Sequence, residues 1–149
     1  MQTLKLSLVR NLRDALTMRE IRNECASFMT KDTGEIGVFK QIWWWFFRKD
    51  KLHLRCFLGY YTFFPVAYGI IKEEKDYVLL SGGVLQYWRG KGFGRQMFCY
   101  LIDFARVNYI KDIRLEVLKT NTAAYNLYRS LGFKKTGTRN KGAVIKMKL

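Results

Sequence analysis

The run Arg89-Gly90-Lys91-Gly92-Phe93-Gly94-Arg95 joins a β-patterned segment to a helix-patterned one, and that junction limits what the chain can become. The segment before it, Tyr77 to Leu85, reads as a strand. The segment after it places Phe93, Met97, Leu101 and Phe104 on one helical face. Glycines in such a turn let the chain bend tightly and bring its amides close to an anion. The helix N-terminus adds partial positive charge at the same place, and Arg89, Lys91 and Arg95 supply full charges. The loop is therefore expected to hold a phosphate, with a pyrophosphate as the natural ligand. It is not a nucleoside-triphosphate loop, because no Gly-Lys-Ser/Thr closes it. It is a poor dinucleotide fingerprint, because Arg89 stands where the first glycine would be. A basic turn without a ligand is the competing reading.

A second segment bears on that choice. Ile113 to Leu118 is a short apolar strand that ends in a polar turn. Thr120 or Asn121 is a natural N-cap for the helix that follows, in which Ala124, Leu127, Tyr128 and Leu131 recur at helical spacing. Gly132 suits the position just past the helix end, and Phe133 opens the next extended run.

With both segments in view, the chain resembles the GNAT superfamily of acetyl-CoA-dependent N-acetyltransferases. One signature, Q/R-x-x-G-x-G/A, is met by Arg89, Gly92 and Gly94. The other, N-x-x-A-x-x-L-Y-x-x-x-G-F after a strand, is met by Asn121, Ala124, Leu127, Tyr128, Gly132 and Phe133. Many members carry proline three residues before the motif arginine, where this chain has Gln86. The resemblance implies an α/β fold of mixed type, with a mostly antiparallel sheet of about seven strands, helices on both faces, and strands four and five splayed around acetyl-CoA. No metal is implied. The pyrophosphate would sit on the amides of Gly90, Lys91, Gly92, Phe93, Gly94 and Arg95. The pantetheine arm would pair with backbone near Val84, Leu85 and Gln86, and a backbone amide near Val84 or Leu85 would face the developing oxyanion. Asn121 would bond the cofactor arm or brace the loop. Tyr128 would protonate the departing thiolate. Glu116 on strand five is a candidate base for the amine, directly or through water; Glu24, Glu35 and the single histidine, His53, are others, as is a water chain with no single base. Arg22-Asn23-Glu24 through Phe28-Met29-Thr30, followed by Gln41-Ile42-Trp43-Trp44-Trp45, is similar to the acceptor-side helices of members acting on amino sugars or protein N-termini. That similarity makes Arg22, Asn23, Trp43 and Trp44 candidate acceptor contacts.

The remaining pattern predicts the order β-α-α-β-β-β-α-β-α-β-β in one domain over 1–149. It includes a first strand at 3–9, a helical region over 11–30 broken near Thr17, a helix over 38–47, and strands at 52–60 and 66–73. A chain of 149 residues with 49% hydrophobic content has room for a single core. No apolar run approaches membrane-span length, and Met1 to Arg10 lacks a signal-peptide core. Cys25, Cys56 and Cys99 show no metal-ligand spacing and read as reduced thiols of a cytoplasmic protein. The formal net charge of +15 favours an anionic partner and disfavours a polyamine acceptor. A nucleotide-linked amino sugar, its diphosphate gripped by Lys and Arg and its ring stacked on Trp43 to Phe47, is the favoured acceptor. A protein N-terminus or lysine, as on a ribosomal protein, comes next. A non-catalytic acyl-CoA sensor and a nucleic-acid-binding module with aromatics interleaved among the basic residues of 43–51 stay open, as do monomer and homodimer.

Overall fold

Apolar side chains occupy both faces of the central strands, so the sheet has to be covered on both sides. A computed structural model describes residues 2–31, 33–48, 50 and 53–149 and shows how. Among these residues the elements run β1 (Lys5–Leu8), α1 (Leu12–Glu24), α2 (Val38–Phe47), β2 (Leu54–Tyr61), β3 (Phe64–Glu73), β4 (Tyr77–Val84), α3 (Phe93–Asn108), β5 (Asp112–Leu118), α4 (Thr122–Ser130), β6 (Lys134–Arg139) and β7 (Val144–Lys148). The strands form one sheet in the order β1-β2-β3-β4-β5-β7-β6. On one face Phe57, Ala67, Ile71 and Leu80 meet Phe93, Met97, Phe98 and Leu101 of α3. On the other, Cys56, Leu58 and Tyr68 meet Ala15, Met18 and Ile21 of α1. The alternation of β2 and β3 thus sorts the core into two layers.

β4 and β5 form the parallel pair, from Tyr77↔Asp112 to Leu80↔Leu115; all other pairings are antiparallel. The pairing stops there, although β4 continues to Val84 and β5 to Leu118. The two strands part from Ser81 and Glu116 onward, and this splay positions the site.

Two expectations need correction. The break near Thr17 does not occur. Asn11 caps α1 by accepting the Asp14 N–H at 2.9 Å, and the helix runs unbroken to Glu24. A threonine costs a helix only a few tenths of a kcal/mol, which the buried Ala15, Met18 and Ile21 outweigh. The chain turns instead at Cys25 into a short 3-10 turn, Ala26–Phe28. The second strand starts at Leu54; the expected start, Leu52, lies outside the described residues, as do Lys49 and Lys51 of the basic aromatic stretch.

Candidate active site

Between β4 and α3 the chain passes through a 3-10 turn, Gln86–Trp88, and then Gly90 and Gly92. Both glycines have positive φ, +74° and +83°, a region that other residues enter at a cost. Gly92 occupies the N-cap of α3. Gln96 N–H bonds back to the Gly92 carbonyl, while the amides of 90–95 take no acceptor among the described residues. These amides are gathered at a helix N-terminus, where an anion fits. The side-chain cations are less free than the sequence suggests. Arg89 donates from Nε to the Val84 carbonyl at 2.9 Å and lies over the Phe28 ring. Lys91 rests on Tyr87 and Trp88. Arg95 donates to Ser130 Oγ at 2.9 Å, which ties α3 to α4. The ring of Phe93 is buried, so only its amide can serve the site.

A cleft of roughly 450 Å³ opens from this loop into the splay. Met97, Phe98, Leu127 and Tyr128 line it from the α3 face, and Cys25, Phe28, Met29, Thr30 and Glu116 from the α1 face. The cleft therefore passes through the sheet, between β4 and β5. Ser81-Gly82-Gly83 and Val84 form its β4 wall. The Leu85 N–H bonds to the Val66 carbonyl at 2.9 Å. In an antiparallel ladder, alternate residues turn their backbone groups to opposite neighbours. Leu85 therefore faces β3, while Gly82 and Val84 point toward β5, beyond the end of the pairing. This separates the three residues expected to meet the cofactor arm. The Val84 N–H faces the wedge. The Leu85 N–H is taken by β3, and the Gln86 N–H donates to the Glu24 carboxylate.

Tyr128 reaches the cleft because of how α4 ends. The Phe133 N–H bonds to the Tyr128 carbonyl, and the Gly132 N–H to that of Arg129, with Gly132 at φ +97°. This is a Schellman ending, and Phe133 packs on Tyr128 as that motif favours. At the other end Asn121 caps the helix, accepting the Ala124 N–H at 3.2 Å. Phe98 lies against the Tyr128 ring at 4.8 Å between centroids. Burial pushes the phenol well above its ordinary pKa, so the hydroxyl stays protonated and keeps a proton to donate.

Glu116 lines the cleft on the opposite face. It accepts from Arg139 Nε at 3.0 Å and NH2 at 2.8 Å, and Thr30 Oγ1 is 3.4 Å away. Arg139 also donates to the Thr30 carbonyl at 2.8 Å. Burial acts to raise the Glu116 pKa, but the Arg139 hydrogen bonds, with Lys31 and Lys146 nearby, outweigh it and hold the carboxyl below its ordinary value. A carboxylate so held is a poor proton acceptor and a good counter-ion. Arg139→Ala is expected to lower stability at pH 7 by about 1–2 kcal/mol, the scale of a lost charge-assisted pair. Because the folded pKa is depressed, Glu116 contributes stability above its unfolded value near 4.5 and loses it as pH falls through the folded value. Denaturant unfolding at pH 7 and at pH 3 should therefore show the gap between wild type and variant closing in acid.

The structure sets the acceptor-side candidates apart from the cleft. Arg22 donates to the Gly34 carbonyl, and Asn23 exchanges two hydrogen bonds with the Ile36 backbone. Both side chains brace the loop before α2. Trp44 and Trp45 pack on the α1 core layer. Trp43 is 54% exposed beside Phe47, on the outer face of α2. None of these lines the cleft. His53 sits in a turn before β2. The contacts that sequence reasoning missed are Cys25, Arg139 and the small-residue run Ser81-Gly82-Gly83. That run was the available signal, since small residues at a strand end leave room where two strands part.

The sequence profile of the acetyltransferase (GNAT) family matches residues 15–133. The chain belongs to that family. N-alpha-acetyltransferase RimI of Mycobacterium tuberculosis (strain ATCC 25618 / H37Rv) is 39% identical over 66 residues, which cover 44% of this chain and 40% of that protein. The chain thus aligns with less than half the length of this relative. Salmonella typhimurium yncA, solved with its cofactor acetyl-CoA, superposes with a TM-score of 0.82 at 19% identity, covering 99% of this chain and 93% of that one. A ribosomal-protein-alanine N-acetyltransferase from Brucella melitensis superposes with a TM-score of 0.81 at 18% identity, covering 98% and 99%.

Proposed function

We propose that the chain acetylates the N-terminal amine of a polypeptide, using acetyl-CoA in a direct transfer. The observation that carries this reading is a cleft through the sheet that brings Gly90, Gly92, Gly94 and Arg95 of the glycine loop, Val84, Tyr128 and Glu116 to one passage. Acetyl-CoA supplies the acyl group as a thioester, which the amine attacks at carbon while the sulfur leaves. The amides of 90–95 hold its pyrophosphate. The Val84 N–H is aimed where the carbonyl oxygen gathers charge. The attacking nitrogen sheds its surplus proton to solvent as the amide forms, while Tyr128 Oη gives its proton to the leaving sulfur and regains one from solvent, so that no net proton is gained or lost in the transfer. Glu116 holds the incoming ammonium, whose proton is lost to water before attack.

The acceptor reading departs from the amino sugar that the sequence favoured. That preference rested on the net charge of +15, which suits a diphosphate, and on a stacking platform at Trp43 to Phe47, whose rings lie outside the cleft. The peptide reading has support from RimI and from the ribosomal-protein-alanine acetyltransferase neighbour. A thiol-release assay with acetyl-CoA separates the two. Peptides with a free α-amine should release CoA thiol, and the same peptides with a blocked N-terminus should not. Turnover of a nucleotide-linked amino sugar, with none on any peptide, would return the acceptor to that class.

A further inference from the structure

The α1 and α2 helices do not extend over the far half of the sheet. On the α1-side face of β5, β7 and β6, register places Arg114 beside Lys148 and Glu116 beside Lys146, with Lys134 next to Lys148. Lys134 and Lys146 are exposed, and the side chains of Arg114 and Lys148 are 42% and 43% exposed, whereas Glu116 is largely covered. Asp112 is shared by Arg114 at 3.1 Å and Lys148 at 2.9 Å, and is thereby neutralised. Lys134 and Lys146 make no ion pair among the described residues. The face is cationic, and it begins at Glu116, the end of the cleft where the amine enters.

Building on the peptide reading above, we propose that this face docks an acidic stretch of the acceptor polypeptide just after its N-terminal residue. The charge order fits such a chain. Glu116 meets the ammonium, and Lys146, Lys148 and Lys134 lie beyond it for carboxylates. Strands are about 4.8 Å apart and alternate residues on one face about 6.8 Å. An extended peptide advances roughly 3.3–3.6 Å per residue, so its second to fourth residues reach these lysines.

The test uses peptides labelled at the C-terminus, with one N-terminal residue in common and with Asp and Glu, Ser, or Lys at positions two to four. Binding to the full chain with CoA present is read by fluorescence anisotropy, and acetylation by thiol release. The acidic peptide should bind roughly tenfold tighter than the neutral one, the scale of a few surface pairs. Higher salt should shrink the gap. Lys134→Glu with Lys146→Glu should abolish or invert the preference while acetyl-CoA affinity, measured separately, confirms a folded protein. Equal binding of acidic and neutral peptides, or a preference that survives the double variant, overturns the proposal even if peptides are acetylated. An RNA oligonucleotide that displaces the acidic peptide and itself binds tighter also overturns it. Acidic-selective binding without acetylation would instead count against the peptide-acetylation reading and leave the docking face standing.

Discussion

Tyr128→Phe should lower kcat by roughly ten- to a thousand-fold, the scale of lost general-acid help, with acetyl-CoA affinity little changed. The structure makes this variant a clean probe. The ring is held by Phe98 and Phe133, and phenylalanine keeps those contacts. The hydroxyl has no hydrogen-bond partner among the described residues, so its removal should leave the melting temperature unchanged or slightly raised. A merely packed tyrosine would give unaltered turnover. The pH profile adds a second readout. Burial keeps the phenol protonated well past its ordinary range, so Tyr128 should produce no alkaline fall in rate below about pH 10. The wild-type rate should instead rise with pH as the acceptor α-amine loses its proton, near pH 8 by the usual value of that group. Wild-type kcat in the Phe variant, with single-turnover kinetics showing chemistry to be rate-limiting, would remove Tyr128 from the reaction.

The backbone of the glycine loop and the placing of Tyr128 were legible because their determinants are local. Gly90 and Gly92 adopt the positive φ that their identity permits, and Gly132 with Phe133 closes α4 so that Tyr128 faces the cleft. Each motif writes a backbone conformation into a few neighbouring residues. The acceptor half depends on contacts that neighbouring residues cannot announce. Arg139 meets Thr30 across 109 positions, and nothing in either local pattern points to the other. The orientation of the tryptophans was illegible for a different reason. α2 is apolar at nearly every position, so periodicity could not say which face turns inward. The structure buries Gln41 and packs Trp44 and Trp45, yet leaves Phe39, Trp43, Phe46 and Phe47 outside. The cations of the glycine loop were read as phosphate ligands by proximity in sequence, whereas Arg89 spends its guanidinium on the Val84 carbonyl and thereby fixes the end of β4.

Gly94→Val should weaken acetyl-CoA binding by roughly a hundredfold while the protein stays folded. From sequence, Gly92 and Gly94 look equivalent, but the structure separates them. Gly92 sits at φ +83°, where a β-branched residue adds strain of about 1–3 kcal/mol whatever the space around it. A loss of binding in Gly92→Val would therefore be mixed with a loss of stability. Gly94 lies inside α3, and a Cβ there would meet Leu127 at 3.5 Å and Val84 at 3.8 Å, both ordinary contacts. Gly94→Ala should accordingly be tolerated and serves as the control. The two further methyls of valine fall on the lip of the cleft between the end of β4 and α4, beside the amides of 90–95. Holding the pyrophosphate away from even one or two of those amides forfeits charge-assisted hydrogen bonds of about 1.5–3 kcal/mol each, which corresponds to roughly a hundredfold in affinity. Calorimetric titration of wild type, Gly94→Ala and Gly94→Val with acetyl-CoA, beside a thermal melt of each, decides it. Equal affinities across the three would mean that the phosphates do not lie on this loop.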